Sequence, residues 1–209
     1  MIQPITRDEI LNGLGQDYYC YMFGLNHHEY KCDMWPTIFD EVGGIGYLAR
    51  DEKKIVAQLI FVPKIYARRI ALATSPENRN IEGTMVISCL YVLRDYGGRG
   101  IASAMIAETL NFCRKHGFTR VEAIVDHRPP QESGINTSFY PFRKFGFVLD
   151  NSREGWEFRP ESRVCYLELG KNGEHADAGD ALQRASSAMF GHEGPRSGEK
   201  ILAQDSRTK

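Results

Sequence analysis

The sequence predicts an α/β fold, and two observations carry this prediction. An apolar, β-rich run from Met85 to Val92 is followed by a glycine-rich loop and then by a helix whose apolar residues recur every three or four positions. After that helix, Val121–Val125 is a nearly continuous apolar run, as expected for a buried parallel strand. In such a strand–loop–helix–strand unit the loop lies at the carboxyl edge of the sheet, where α/β proteins bind ligands.

The elements before this unit predict one strand, helical segments and a hairpin. Ile2–Ile5 predicts the first strand, and a Thr-x-x-Glu capping box at Thr6 opens a short helix from Arg7 to Leu14. Gln16–Val42 is aromatic-rich and predicts mostly helix, broken at Pro36. Gly43 and Gly44 end this helix. Three predicted segments follow: antiparallel strands at Tyr47–Arg50 and Ile55–Val62, the second continuing through Ile65–Ala73, and a loop at Ser75–Gly83.

The chain after Val125 predicts a loop, a short helix, two strands and a tail. Its predicted elements are a long loop at Asp126–Ile135, a helix at Ser138–Phe145 and strands at Phe147–Leu149 and Val164–Leu169. From Gly170 the composition shifts to Gly, Ala, Ser and charged residues. We therefore expect one domain over residues 1–170 and a polar, flexible tail over residues 171–209, with an amphipathic helix at Ala178–Phe190 as the alternative.

The composition limits the function classes. Lys and Arg number 26 against 27 Asp and Glu in 209 residues, so no basic excess favours nucleic acid or an anionic membrane. The sequence holds neither a long apolar run nor a signal-peptide pattern. The five cysteines are scattered without a Cys-x-x-Cys pair, which predicts reduced thiols in the cytoplasm. The spacing of Cys20, His27, His28 and Cys32 matches no common zinc module, so we expect no metal.

The glycine loop is the strongest candidate for a ligand site. Gly97, Gly98 and Gly100 let the backbone approach a ligand closely. The N–H groups at the start of the next helix point the same way and its dipole adds positive charge, which suits a pyrophosphate, with Arg99 as a charge partner. A tight turn without a ligand is the alternative. Ser103 breaks the dinucleotide fingerprint, and no Gly-Lys-Ser/Thr marks a P-loop.

Two blocks of sequence resemble the GNAT superfamily of N-acetyltransferases. Leu90–Ala102 resembles the family's acetyl-CoA-binding motif, which reads Arg or Gln, two free positions, Gly, a free position, then Gly or Ala. Gly97 departs from the pattern at its first position. Asn136–Phe147 resembles the family's later motif, an aromatic residue followed by a hydrophobe, Gly and Phe. The two blocks occur in the family's order, and the resemblance spans roughly Gln3 to Leu169.

The resemblance implies a fold, a reaction and a set of acetyl-CoA ligands. The fold is a mixed, mostly antiparallel sheet with a central splayed parallel pair, flanked by helices. The reaction is direct acetyl transfer from acetyl-CoA to an amine in a ternary complex. A backbone N–H at Tyr91 or Val92 would polarise the thioester carbonyl. Asn136 would bond the pantetheine amides, unless it caps a helix instead. The pyrophosphate would lie against Gly97, Gly98, Arg99, Gly100, Ile101 and Ala102.

Proton transfer is assigned to Tyr140 and His127. The family often places a tyrosine acid four residues before the Gly of its second motif, and this chain has Phe142 there. Tyr140 is the substitute that would protonate the leaving thiolate, and an ordinary structural tyrosine is the alternative. His127 is the candidate base because imidazole titrates near neutrality, with a solvated loop histidine as the alternative. Glu82 and Glu132 are weaker alternatives for the role of the base, and Cys89 is predicted to be a core residue.

The acceptor is expected to be a small-molecule or peptide amine. By the resemblance, the acceptor wall comes from segments holding Tyr18, Tyr21, His27, His28, Tyr30, Trp35 and Trp156, an aromatic set with little net charge. No nucleic-acid or membrane partner is expected, and a homodimer stays open. A non-catalytic acyl-CoA-binding or regulatory module is the rival function, favoured by Phe142. A phosphate- or nucleotide-binding protein that shares only the glycine loop is a third.

Overall fold

A computed structural model describes residues 1–12, 28–67, 82–128, 138–150 and 162–170. The strands in these ranges form one seven-stranded sheet in the order β1-β2-β3-β4-β5-β7-β6. All the neighbours pair antiparallel except β4 and β5, which are parallel, so the predicted mixed fold is confirmed. The elements are β1 Ile2–Pro4, α1 Arg7–Leu11, α2 His28–Val42, β2 Gly46–Asp51, β3 Lys54–Pro63, β4 Thr84–Val92, α3 Ile101–Lys115, β5 Arg120–Asp126, α4 Tyr140–Arg143, β6 Val148–Leu149 and β7 Ser162–Glu168.

Two apolar clusters cover the two faces of this sheet. On the first face, α3 packs Met105, Ile106 and Leu110 against alternate residues of β3, β4 and β5, including Met85 and Val121. On the second face, α1 and α2 pack against the other set of alternate residues. The buried residues on the second face include Trp35 and Ile38 of α2 and Ile60, Val62, Val86 and Ile124 of the sheet. The sheet therefore separates the α3 side from a second side that α1 and α2 cover.

Helix α3 follows its predicted pattern closely. Its buried positions recur along one stripe, and the exposed side chains lie opposite. The cations Arg114 and Lys115 lie in its last turn, where they complement the helix dipole. Phe118 donates its backbone N–H to the Cys113 carbonyl just after the helix end.

Helices α1 and α2 differ from the prediction. The capping box at Thr6 is present, but α1 ends at Leu11 rather than Leu14, with Asn12 as its C-cap. Helix α2 runs without interruption across Pro36, so the predicted break is wrong. Proline removes one hydrogen bond from the helix, but Trp35 and Ile38 on either side are buried in the core. Burial of this face offsets the local cost of the proline.

Two further boundaries also differ. β3 ends at Pro63 and a 3-10 turn follows at Lys64–Tyr66, so the predicted continuation of the strand through residues 65–73 is wrong where the structure describes it. The helix predicted over Ser138–Phe145 is shorter, because Ser138 forms a parallel bridge with Asp126 and is drawn into the sheet. Extended backbone at Ser138 delays the start of α4 to Tyr140.

A buried charge cluster lies on the second face, at the end of the sheet where β4 and β5 begin. The Lys64 ammonium lies 2.9 and 2.8 Å from the two oxygens of Glu122, and both side chains are fully buried. Arg120 donates to the same carboxylate at 2.8 Å and also pairs with Glu168. The Arg120 guanidinium stacks on the Tyr166 ring at 3.9 Å. Glu122 is thus the anion that two buried cations share.

The predicted boundary between domain and tail falls at the end of the described residues. β7 ends at Glu168 and pairs with β5 along its whole length. Residues 171–209, where the tail is predicted, lie outside the described residues. None of the described helices is long and apolar enough to cross a membrane.

Candidate active site

The centre of the sheet opens between the parallel strands β4 and β5. The two strands pair only from Thr84–Arg120 to Ile87–Ala123. Beyond these pairs, β4 continues alongside β3 while β5 continues alongside β7. The carboxyl halves of β4 and β5 therefore diverge and leave a gap in the sheet.

An irregularity in β4 marks the point where the strands part. Ile60 of β3 is opposite Cys89 and Phe61 is opposite Ile87, so Ser88 is an extra residue on β4. The Ser88 hydroxyl donates to the Ile60 carbonyl at 3.3 Å and is buried. Such a bulge bends the strand that carries it, in keeping with the divergence of β4 from β5.

The peptide groups of β4 alternate between β3 and the gap. Leu93 donates its N–H to the Val56 carbonyl at 2.8 Å, and Gln58 is directly opposite Tyr91. In an antiparallel ladder every second residue makes these bonds, so the Tyr91 peptide faces β3 whereas those of Leu90 and Val92 face the gap. Of the two predicted carbonyl-polarising positions, Val92 is the one whose N–H points towards a group lying in the gap.

The glycine turn joins β4 to α3 at the mouth of this gap. After a 3-10 turn at Arg94–Tyr96, Gly98 and Gly100 adopt left-handed conformations with φ of +74° and +78°. Gly100 is the N-cap of α3, and no side chain caps the helix. The first turn of α3, described in full, holds no acidic residue. The first N–H groups of a 15-residue helix thus meet an approaching anion with no competing side chain.

The side chain of Arg99 is held beside this turn. Its guanidinium donates to the Asp95 carbonyl at 3.0 Å and lies 4.8 Å from the centre of the Tyr96 ring. The Tyr96 hydroxyl in turn donates to Asp51 at 2.6 Å, and this hydrogen bond raises the pKa of Tyr96. A Cβ added to Gly98 would meet no protein atom within 4 Å, so the space in front of the turn is open.

Two buried polar side chains lie on the second face of the sheet, one on β3 beside β4 and one at the end of β5. Gln58 is only 4% exposed, and its Nε2 donates to Cys89 Sγ at 3.3 Å. Asp126, at the end of β5, is fully buried and lies on the same face as Ile124 by strand alternation. Arg128 grips Asp126 with its Nε at 3.0 Å and its Nη2 at 2.7 Å. One polar group therefore lies on each side of the gap.

The two predicted proton-transfer residues lie near Asp126. His127 follows Asp126 directly and is exposed. The Asp126 carbonyl accepts the Phe139 N–H at 3.0 Å, which joins β5 to the start of α4 and so to Tyr140. Tyr140 is 58% exposed, with the Lys144 ammonium 5.0 Å from its ring centre. The structure thus brings the segments of His127 and Tyr140 together at the carboxyl end of β5.

Phe142 is a core residue. It is fully buried and packs edge-on against Phe147 with 5.2 Å between ring centres. A phenyl ring in this place donates no proton, so a side-chain acid has to come from elsewhere.

Several predicted site residues have no described side chain. These are Asn136, Glu132 and six of the seven residues of the predicted acceptor wall; Trp35 is the exception and is buried. Among the described residues, no group of His, Cys, Asp and Glu side chains is arranged to hold a metal ion.

A family model now identifies the chain. The model of the Acetyltransferase (GNAT) family matches residues 12–147, which is well over half of the sequence and includes the glycine turn and the splayed strands. The chain belongs to the GNAT acetyltransferase family. No curated protein matches it in sequence.

Solved structures share the fold of this GNAT domain. A GNAT-family acetyltransferase from Streptococcus pneumoniae is 14% identical, with a TM-score of 0.54 over 81% of this chain and 99% of that one. The protein yncA from Salmonella typhimurium, solved with its cofactor acetyl-CoA, is 12% identical, with a TM-score of 0.54 over 85% and 96%. A ribosomal-protein-alanine N-acetyltransferase from Brucella melitensis is 14% identical, with a TM-score of 0.53 over 81% and 99%. At these identities the likeness establishes the fold.

Two polar residues near the gap, Gln58 and Arg128, were not predicted from the sequence. Gln58 is the single polar residue in the apolar run Ile55–Val62, and this interruption is the signal that would have marked it. Arg128 follows Asp126 by two residues, but a two-residue spacing in a loop carries no pattern that predicts an ion pair.

Proposed function

We propose that this GNAT protein is an acetyl-CoA-dependent N-acetyltransferase that transfers acetyl directly to an amine in a ternary complex. One observation carries the proposal: an uncapped helix N-terminus with a glycine turn opens onto a gap between two parallel strands. The turn suits a pyrophosphate, and the gap leads from it into the sheet.

The donor would bind along this path with its charge on the turn and its thioester in the gap. The N–H groups at the start of α3 donate hydrogen bonds to the pyrophosphate oxygens, and Arg99 adds a cation beside them. Acetyl-CoA then extends between β4 and β5, where the N–H of Val92 donates a hydrogen bond to the bound acetyl-CoA. Binding of acetyl-CoA by yncA, which has the same fold, supports this assignment.

In the proposed reaction the amine nitrogen attacks the thioester carbonyl carbon. The new C–N bond forms as the C–S bond breaks, and a backbone N–H in the gap stabilises the negative charge that develops on the carbonyl oxygen. His127 accepts the proton that the amine gives up, and Tyr140 donates a proton to the leaving thiolate. Both residues belong to the two segments that meet at Asp126.

The acceptor is proposed to be a peptide or small-molecule amine. The protein from Brucella melitensis is named for alanine acetylation on a ribosomal protein, which supports an amine acceptor as a class. We also propose a cytoplasmic location, supported by the buried free thiols of Cys89, Cys113 and Cys165.

A non-catalytic acyl-CoA-binding module is the second candidate. The observation that favours it is Phe142, which fills the position where a tyrosine acid is expected and is fully buried. Such a module would bind acetyl-CoA by the same turn and gap but would have no proton-transfer groups in working positions.

Two measurements test the proposal. Calorimetry with acetyl-CoA, CoA and ATP should show binding of the first two and none of ATP. Binding of ATP alone would indicate a nucleotide-binding protein instead. Thiol release from acetyl-CoA should then be measured with a panel of amines: a peptide with a free N-terminus, a lysine peptide, a polyamine and an aminoglycoside. Tight acetyl-CoA binding without release with any amine would favour the non-catalytic module.

A further inference from the structure

Gln58 is an unusual residue for its position. It lies in the middle of β3, and its neighbours on the second face are apolar, including Ile60 and Val62. The side chain is 4% exposed, and no donor among the described residues reaches its Oε1. A buried amide oxygen without a partner is destabilising, because no hydrogen bond offsets its loss of water. Gln58 therefore weakens the fold unless a donor arrives from outside.

The location of Gln58 indicates which donor this is. The residue is opposite Tyr91, and its Nε2 bond to Cys89 at 3.3 Å holds the amide against β4, the strand that borders the gap. α3 and its glycine turn lie on the first face of the sheet, whereas Gln58 lies on the second. An acceptor that reaches a thioester in the gap from the face opposite α3 would come from the side of the sheet on which Gln58 lies.

We propose that Gln58 is an acceptor-binding residue whose Oε1 accepts a hydrogen bond from the nitrogen of the incoming amine. This inference rests on the proposed acetyl transfer and adds to it a residue that selects acceptors carrying an N–H donor. The carboxylate of Asp126, which is paired with Arg128, lies on the same face of the sheet across the gap. Cys89 serves to orient the amide.

The test compares Gln58→Met with a control of the same kind. Methionine keeps the length and volume of the side chain and removes the acceptor oxygen. The control is Thr109→Val, which removes a buried hydroxyl in α3, on the other face of the sheet. The substrate is whichever amine of the panel above turns over fastest, and acetyl-CoA affinity is measured in parallel by calorimetry.

We expect Gln58→Met to raise the KM for the amine by about 10- to 100-fold, the equivalent of one hydrogen bond to a charged group. Acetyl-CoA affinity and the melting temperature should stay close to those of Thr109→Val. Gln58→Glu, which keeps an acceptor oxygen, should restore most of the amine affinity. If Gln58→Met does not fold, Gln58→Asn decides, because the shorter amide withdraws the oxygen and should raise the same KM.

An unchanged KM for the amine in an active, folded variant would overturn the role of Gln58 and leave the proposed transferase intact. A fall in melting temperature with no change in KM would likewise show a structural residue. If the unmodified protein binds acetyl-CoA but acetylates no amine, the proposed function fails, and the role of Gln58 fails with it.

Discussion

The residues of the glycine turn have separate tasks. Gly98 and Gly100 give the backbone its left-handed bends, and the open space in front of Gly98 is where the ligand is proposed to lie. Arg99 is oriented by Asp95 and Tyr96 but is exposed to solvent. Backbone groups therefore make most of the proposed pyrophosphate site, and the arginine adds a charge that solvent screens.

Substitutions in the turn should separate these contributions. Gly100→Asp or Gly98→Val should abolish CoA binding, because bulk or negative charge enters the pyrophosphate site and a side chain strains a left-handed residue. Arg99→Ala should weaken binding by less than about tenfold. Calorimetry with CoA measures both, and circular dichroism checks that the variants fold. CoA binding at full affinity in either glycine variant would place the ligand elsewhere.

Proton transfer is tested at Tyr140 and His127. Tyr140→Phe should lower turnover by about 10- to 100-fold, towards the low end of general-acid effects, with little change in CoA affinity. His127→Ala should remove the acid limb of the pH–rate profile. Steady-state rates across pH test both. Full activity in both variants would mean that the proton leaves through water or another residue, and that this chain works without a side-chain acid.

Among the elements, β5 links the core to the site. Its residues Val121 and Ala123 pack against α3, whereas Glu122 and Asp126 on the opposite face are buried in ion pairs. The Glu122 cluster lies where β4 and β5 pair, and Asp126 lies where they have parted. The same strand thus carries a charge cluster at its paired end and a site residue at its open end.

The buried cluster predicts unequal costs for its members. Glu122→Leu should destabilise the domain by about 3–5 kcal/mol, because it removes the carboxylate that Lys64 and Arg120 share inside the protein. Lys64→Met should cost less, since Glu122 keeps its bond to Arg120. Urea unfolding of the two variants measures the difference. Equal losses in the free energy of unfolding would show that Arg120 does not stabilise the Glu122 carboxylate when Lys64 is removed.

At the level of the whole molecule, one sheet joins every described element. The glycine turn and Gln58 lie on opposite faces of this sheet. Donor and acceptor are therefore proposed to approach the gap from different sides. The pairing of β5 with β7 carries the domain to Glu168, close to the predicted start of the tail.

Removal of the tail should leave the domain working. A chain ending at Gly170 should melt within a few degrees of the full chain and bind CoA with unchanged affinity, because residues 171–209 offer few apolar groups to bury. Differential scanning calorimetry and CoA titration of the two chains measure this. A large loss of stability would show that Leu182, Met189 and Phe190 pack on the domain or on a second copy.

Local sequence patterns were enough to predict most helices and strands and the position of the glycine turn. The capping box at Thr6, the apolar stripe of α3 and the glycines before it act through neighbours a few residues apart, so their effects are readable in sequence. The motif at Leu90–Ala102 likewise indicated the family that the comparison with known proteins then established.

Only the tertiary structure decided where local rules give way and what meets across the sheet. Proline at position 36 normally ends a helix, yet burial of Trp35 and Ile38 outweighs its cost. The gap arises because, after Ile87, β4 pairs only with β3 while β5 pairs only with β7. Packing between segments distant in sequence sets this pairing. The bonds of Gln58 to Cys89 and of Lys64 to Glu122 join residues 31 and 58 positions apart. No local pattern encodes such contacts, because only the folded sheet brings their strands together.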